Sequence, residues 1–282
     1  MPNIDLHKVL VTGAGGMVGS YIDFGIKTSR HSLDVTDLAK VRRMCQKKKP
    51  SAIIHLAAET DVQRCEREPE RAYVVNGIGT YHMASVAKEL GVKLIYISTS
   101  GVFDGQKKSP YTEEDEPNPQ HFYGRSKHLG ELAVSGTCTD YVIARVCWTF
   151  GGGPTRDKKF IAKIAEQLRT GAQEIKAADD VSGSPTFGKD LVGALKVLLG
   201  RDARGVYNLA NEGVCSRYDI AKEVARVLVP TVRVIPVTSS FFRTAGVARL
   251  MNESMIARER LMRPWQEALR EYLETEWKRA IS

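Results

Sequence analysis

No run of about 18 apolar residues occurs in this chain, so no helix that crosses a membrane is expected. Cys-x-x-Cys pairs are missing too. The five cysteines (Cys45, Cys65, Cys138, Cys147 and Cys215) are odd in number, which speaks against structural zinc and against a secreted disulfide framework. Reduced cysteines in a cytoplasmic protein fit better. Met1 to Lys8 carry Asp5 and His7 where a signal peptide would need an apolar core, so secretion is not expected. Repeats, low-complexity tracts and a clear linker are also lacking. The 282 residues therefore imply one large domain or two interlocked lobes rather than a string of modules. A chain of this size needs no metal or disulfide staple, because it buries roughly three quarters of its unfolded surface on folding.

What is present is ordinary for a globular protein: 43% hydrophobic and 26% charged residues, which excludes disordered and fibrous classes. The net charge of +8 suits an anionic ligand such as a nucleotide or diphosphate. Nucleic acid is the weaker reading of that charge. The one basic run, Lys47-Lys48-Lys49, lies at an expected helix end before Pro50, where cations favour the helix dipole.

The first half alternates short β-branched runs with helical patterns. Lys8 to Thr12, Ser51 to Leu56, Val92 to Ser98 and Tyr141 to Val146 read as strands. Leu38 to Lys48, Pro69 to Leu90 and Ser126 to Ser135 read as helices between them. Such alternation predicts an α/β fold, a doubly wound parallel sheet covered on both faces, with ligands beyond the carboxyl ends of the strands. Gly151-Gly152-Gly153-Pro154 breaks the pattern. Helices are then expected at Lys158 to Thr170, Asp190 to Leu199 and Arg217 to Leu228, the last capped by Ser216. Ser182 to Pro185 reads as a turn, Gly205 to Leu209 as one more strand, and Trp265 to Trp277 as mostly helical. The expected division is a dinucleotide-binding part of residues 1–150 plus about 188–210, interlocked with a smaller substrate-binding lobe of about 151–187 and 211–282.

Directly after the strand Val9-Leu10-Val11 comes Thr12-Gly13-Ala14-Gly15-Gly16-Met17-Val18-Gly19. Glycines at 13, 16 and 19 allow a tight turn and a close backbone approach to a pyrophosphate. The spacing is G-x-x-G-x-x-G, because Val18 stands where G-x-G-x-x-G would need glycine. The acid that would bind a ribose 2′-hydroxyl is not found near the second strand. Arg30 is there instead and suits a 2′-phosphate, which tilts the cofactor toward NADP over NAD. Asp34 is a candidate acceptor for the adenine amino group.

Tyr123-Gly124-Arg125-Ser126-Lys127 sets a phenol and an ammonium one helical turn apart. A free phenol, with a pKa of roughly 10, exchanges protons poorly at neutral pH, and a nearby cation is expected to acidify it. Tyr218 and Lys222 share the spacing, but only Tyr123 follows a strand ending in hydroxyls, Ser98-Thr99-Ser100. Tyr123 and Lys127 are therefore read as functional, and Tyr218 as part of a capped amphipathic helix.

With these features in order, the chain resembles the extended short-chain dehydrogenases/reductases, and within them the dTDP-4-dehydrorhamnose reductase branch. The matches run along most of its length: Leu33-Asp34-Val35-Thr36-Asp37, His55-Leu56-Ala57-Ala58-Glu59-Thr60-Asp61-Val62, Glu66 to Asn76, Val102-Phe103-Asp104-Gly105, Gly183-Ser184-Pro185-Thr186 and Arg263-Pro264-Trp265. The resemblance implies NAD(P)H-dependent reduction of the C4 ketone of a nucleotide-diphosphate 4-keto-6-deoxysugar, as in dTDP-rhamnose biosynthesis. It implies Thr99, Tyr123 and Lys127 as the catalytic set. It also implies a cofactor path along Gly13, Gly16, Met17, Val18, Arg30, Asp34, Val35, Leu56, Ala57, Ala58 and Asn76, together with Tyr123 and Lys127. The sugar and diphosphate would meet Ser100, Val102, Phe103, Trp148, Arg156 and Lys158. The expected partner is the nucleotide sugar, without nucleic acid or membrane, and with a homodimer allowed.

The chain departs from that pattern in four places. Ser100-Gly101 replaces an acid and an aromatic, removing a carboxylate and bulk beside the sugar and leaving a 4,6-dehydratase without its acid and base. The stretch from Gly19 to Leu33 is roughly ten residues short, so the first helix and second strand should be stunted. The tract from Arg243 to Asn252 matches poorly. Tyr21 stands where some members carry a metal-binding acid, so no metal is expected. A nucleotide-sugar 4-epimerase and a non-catalytic NADP-binding regulatory subunit are the alternative functions.

Overall fold

The computed structural model describes residues 4–242, 247 and 250–281. Arg243 and most of the tract after it, like Met1 to Asn3, lie outside those residues.

The apolar runs become parallel strands because burial on both faces rewards continuous Val/Ile/Leu. β1 (Val9–Thr12), β2 (Ile26–Lys27), β3 (Ala52–His55), β4 (Lys93–Thr99), β5 (Tyr141–Val146) and, later in the chain, β8 (Gly205–Asn208) form one sheet in the order β2-β1-β3-β4-β5-β8. Every pairing in it is parallel. The register sets Thr12 beside His55, His55 beside Tyr96, and Thr99 beside Val146. The chain leaves β1 to opposite sides for β2 and β3, so the crevice at their carboxyl ends is a topological switch point.

One face of the sheet is covered by α1 (Leu38–Lys48), α4 (Gly79–Leu90) and α5 (Phe122–Thr137), burying Leu10, Ile53, Leu94 and Tyr96 against Val41, Met83 and Val134. Asp37 caps α1 by accepting the Lys40 N–H at 3.0 Å, and Lys49 ends it in the left-handed region. The opposite face buries Val9, Ile54, Ile95 and Val142 under Leu191, Leu195 and Leu198 of α8 (Gly188–Gly200). Between α2 (Val62–Arg67) with α3 (Pro69–Ala72) and α4, the expected single helix opens into a π-helical stretch, Tyr73–Ile78.

A second core lies beside the sheet. There α7 (Phe160–Arg169), α9 (Arg217–Leu228) and α10 (Trp265–Tyr272) pack around Phe150 and Phe187, whose rings stack at 5.1 Å. The short helices α6 (Gly153–Arg156) and α11 (Lys278–Ile281) flank it. Ser216 and Asp219 cap α9 reciprocally, as the sequence predicts at Ser216. The sequence does not announce the parallel pair β6 (Glu174–Ala178) and β10 (Arg233–Val237). Ser182-Gly183, expected as a turn, is strand β7 (Ser182–Gly183), paired with β9 (Cys215–Ser216) and β11 (Asn252–Glu253). The stunting expected after the glycine turn is observed: a single 3₁₀ turn, Val18–Tyr21, and a two-residue β2. All five cysteines are free and buried. Among the described residues no helix is long and apolar enough to cross a membrane.

Candidate active site

A cavity of about 840 Å³ opens at the carboxyl ends of β1, β3, β4 and β5. Gly13 leaves β1 at φ +68°, and a Cβ there would stand 2.6 Å from the Ala57 nitrogen. Only glycine lets this turn close onto the segment after β3. The Thr12 hydroxyl holds the same junction, bonding His55 Nδ1 at 2.7 Å and accepting the Ala57 N–H at 3.2 Å. Gly13, Gly16, Met17 and Val18 line the cavity on one side, and Leu56, Ala57 and Ala58 line it on the other. Tyr21, just beyond the turn, donates to Glu276 Oε1 and accepts the Gly152 N–H, both at 2.6 Å. Among the described residues no group of three His, Cys, Asp or Glu side chains is placed to hold a metal.

Arg30, Asp34 and Val35 line the far end. Asp34 Oδ1 accepts the Thr36 hydroxyl at 2.7 Å and the Thr36 N–H at 3.0 Å, bonds that hold its carboxyl below the usual range. Arg30 is exposed at the mouth, where its charge can meet an anion. Asn76 is different. It is fully buried and off the cavity wall, with Oδ1 on the Glu59 N–H at 2.8 Å and Nδ2 on Ser126 Oγ at 2.9 Å. The residue expected to touch the cofactor instead clasps the Ala58–Glu59 segment to α5. A glycine cradle, small side chains opposite it and a cation at the open end fit a dinucleotide.

Thr99, Tyr123 and Lys127 share the deep wall. His121 caps α5 by accepting the Gly124 N–H at 2.9 Å. A Cβ at Gly124 would lie 2.0 Å from the Gly101 carbonyl oxygen, so glycine lets the first turn of α5 press against the end of β4. That approach brings Tyr123 to Thr99. Lys127 is buried, with its ammonium 4.1 Å from the centre of the Tyr96 ring. Desolvation pushes its pKa down to about 7, against the opposing charge of Glu131.

The expected acidification of the phenol is not found. Burial pushes Tyr123 up to about 12, partly offset by a hydrogen bond from Thr99, with the charges of Cys65 and Glu253 adding to the rise. The reason is physical: burial penalises the phenolate by more than the Thr99 bond returns, and the Lys127 charge is not among the causes of the shift. Tyr123 is thus a neutral phenol, the protonation state a proton donor needs.

The sugar end is built differently from the expectation. Val102 and Phe103 are fully buried, Phe103 stacking on Tyr111 at 4.2 Å, and neither lines the cavity. Their apolar side chains fill a small core under the site. Arg156 and Lys158 are exposed and also lie off the wall, whereas Lys159 and Arg217 do line it. Ser100 and Trp148 do line it, and between them stands Glu253. Ser100 Oγ donates to Glu253 Oε2 at 3.0 Å, and Trp148 Nε1 donates to Oε1 at 2.8 Å. The carboxylate expected to be lost at Ser100 is therefore restored in space from β11. Arg217 stacks on Trp148, 3.6 Å from its ring centre. Tyr218 lies off this wall, packed in the second core with Lys222 5.2 Å from its ring.

Sequence reasoning missed Glu253, Arg217 and Lys159. Lys159 lies one position from Lys158, and Arg217 carries only the signal of the first residue of a capped helix. Glu253 had no local signal, because 153 residues separate it from Ser100.

Comparison with known proteins gives a consistent picture. The family described as RmlD substrate binding domain matches residues 7–277. The spore coat polysaccharide biosynthesis protein SpsK of Bacillus subtilis (strain 168) is 34% identical over 281 residues, 95% of this chain and 98% of that protein. A dTDP-4-dehydrorhamnose reductase of Mycobacterium tuberculosis (strain ATCC 25618 / H37Rv) is 34% identical over 93% of this chain and 91% of its own length. The crystal structure of dTDP-4-dehydrorhamnose reductase from Bacillus anthracis str. Ames in complex with NADP superposes with a TM-score of 0.88 at 30% identity, covering 96% of this chain and 99% of that one.

Proposed function

The chain belongs to the RmlD substrate binding domain family, and on that footing we propose that it is an NAD(P)H-dependent reductase of the C4 ketone of a dTDP-4-keto-6-deoxysugar. The observation that carries the reading is one cavity with Thr99, Tyr123 and Lys127 at its deep wall and the Gly13–Val18 turn at its side. Relatives named for this reaction and for NADP agree with it.

The reduced nicotinamide would supply the hydride. Gly13, Gly16, Met17 and Val18 would hold the pyrophosphate with backbone groups, Ala57 and Ala58 would let the dinucleotide pass, and Arg30 with Asp34 would meet its adenosine end. Thr99 would hydrogen-bond the ketone oxygen and Tyr123 would donate its phenolic proton to that oxygen as negative charge develops there. A phenol held protonated by burial is suited to that step. Lys127 would hold the ribose and stabilise the phenolate left behind, because an emerging anion beside it favours its charged form. Closing groups at the sugar would be Ser100, Trp148 and Lys159, and the nucleotide-sugar lobe would be residues 151–187 with 211–282. The working site would be the cytoplasm. A homodimer would suit the exposed apolar side chains Val74, Ile78, Tyr81 and Leu132.

The test mixes protein, dTDP-4-keto-6-deoxysugar and either NADPH or NADH. Stoichiometric loss of nicotinamide absorbance with formation of the reduced sugar is the expected result. Product without net cofactor oxidation would replace the reading with an epimerase, and neither product nor oxidation would favour a regulatory subunit.

A further inference from the structure

One acidic side chain on the cavity wall, Glu253, has no part in the hydride and proton transfers above. Glu253 reaches the site from β11, and its two oxygens accept one hydrogen bond each, from Ser100 Oγ and Trp148 Nε1. Both donors are neutral, so they aim the carboxylate without neutralising it. Among the described residues it makes no ion pair within salt-bridge distance. The cation whose charge bears on it, Arg217, is spread over the Trp148 ring. A carboxylate offers about four acceptor positions, so roughly half of its capacity stays open to the cavity. Those positions face the cavity, where water or the hydroxyls of a ligand can fill them. Ser100 follows Thr99 directly, so those open positions lie next to the point where the reacting carbonyl would be held.

We propose that Glu253 is a substrate-contacting residue that accepts hydrogen bonds from the sugar's C3 hydroxyl, on the carbon next to the reacting one, and from its C2 neighbour, and that residue 100 is a serine because a carboxylate there would face Glu253. The inference rests on the nucleotide-sugar reading given above. The second half follows from distance: two carboxylates about 3 Å apart cannot both ionise without a large penalty.

The experiment is calorimetric titration of dTDP-glucose and of dTDP, which lacks the sugar, into the wild type and into Glu253→Gln, Ser100→Asp and the double variant. NADPH affinity and circular dichroism serve as folding controls. Glu253→Gln should weaken dTDP-glucose by about tenfold or more, the loss of hydrogen bonds to a charged group, and leave dTDP within about twofold. Ser100→Asp should weaken dTDP-glucose as well, and the double variant should recover most of the loss, because it keeps one carboxylate at the same point. In turnover, KM for the ketosugar should rise more than kcat falls in Glu253→Gln. Equal losses for both probes, no loss at all, or a double variant worse than either single would overturn the proposal. If the wild type reduces the ketosugar while Glu253→Gln binds dTDP-glucose normally, this inference falls and the functional reading stands. If the wild type neither binds dTDP-glucose nor turns over, both fall.

Discussion

Lys127 is a charge that folding has taken out of water, and the consequence is measurable in stability. Its pKa drops from 10.5 to about 7, with burial the main cause. Between those two values the unfolded chain binds a proton that the folded chain does not, so stability rises with pH across that window. The destabilisation is full below about pH 7 and gone above about 10.5. At pH 7 it amounts to about 4 kcal/mol. The Tyr96 ring, 4.1 Å beneath the ammonium, returns up to about 2 kcal/mol as a cation–π contact. Lys127→Met, which keeps most of the side chain's volume and loses both effects, should therefore stabilise the protein by about 2 kcal/mol at pH 7. That corresponds to a rise in Tm of roughly 5 °C for a chain of this size, while reductase activity collapses. Differential scanning calorimetry of both proteins from pH 6.5 to 9.5 provides the check. The advantage of the variant should shrink steadily as pH rises. A variant no more stable than the wild type at pH 7, or a gap that does not change with pH, would refute the assignment of Lys127 as a strained buried cation.

Tyr123→Phe should lower kcat at least about 10²-fold, since it removes the proton donor, while NADPH titrated by fluorescence binds nearly as before. Arg145 donates to both oxygens of buried Glu131 at 2.9 Å. Burial alone would raise the Glu131 pKa, but His128 Nδ1, 3.5 Å away, and the hydrogen bonds and charge of Arg145 bring it down to about 2. Arg145→Met should therefore cost about 3–5 kcal/mol in urea unfolding, because it strands that charge. Arg30→Ala should raise KM for NADPH roughly tenfold and leave KM for NADH nearly unchanged, the difference reporting a lost contact to the 2′-phosphate.

The parts of the fold that could be read in advance are those whose cause is local. Val9–Thr12 and Tyr141–Val146 are apolar enough to demand burial on both faces, and Ser216 with Asp219 writes the start of α9 into four consecutive residues. Strands β7, β9 and β11 are two residues each and owe their existence to one another, so no window of sequence contains their reason. β10 is disguised by Pro236 and by having no fully buried residue. The site divides the same way. The glycine turn, Thr99, Tyr123 and Lys127 sit at strand ends and a helix start that the sequence marks. Asn76, Val102 and Phe103 are expected at the cavity from the family resemblance, but each turns its side chain inward. Glu253 joins Ser100 only once β11 has docked on β7. The phenol's pKa departs from expectation for a related reason: spacing reveals that a lysine is near, but not how deeply both groups are buried.

The missing residues after the glycine turn also shape the margin of the molecule. With β2 reduced to Ile26–Lys27, the main sheet ends on a border offering two rungs of pairing. An approaching strand from a second molecule would gain too little there to hold, and long flat borders are where sheet proteins start to stack into aggregates. The same shortening that trims the adenosine end therefore blunts this border against self-association.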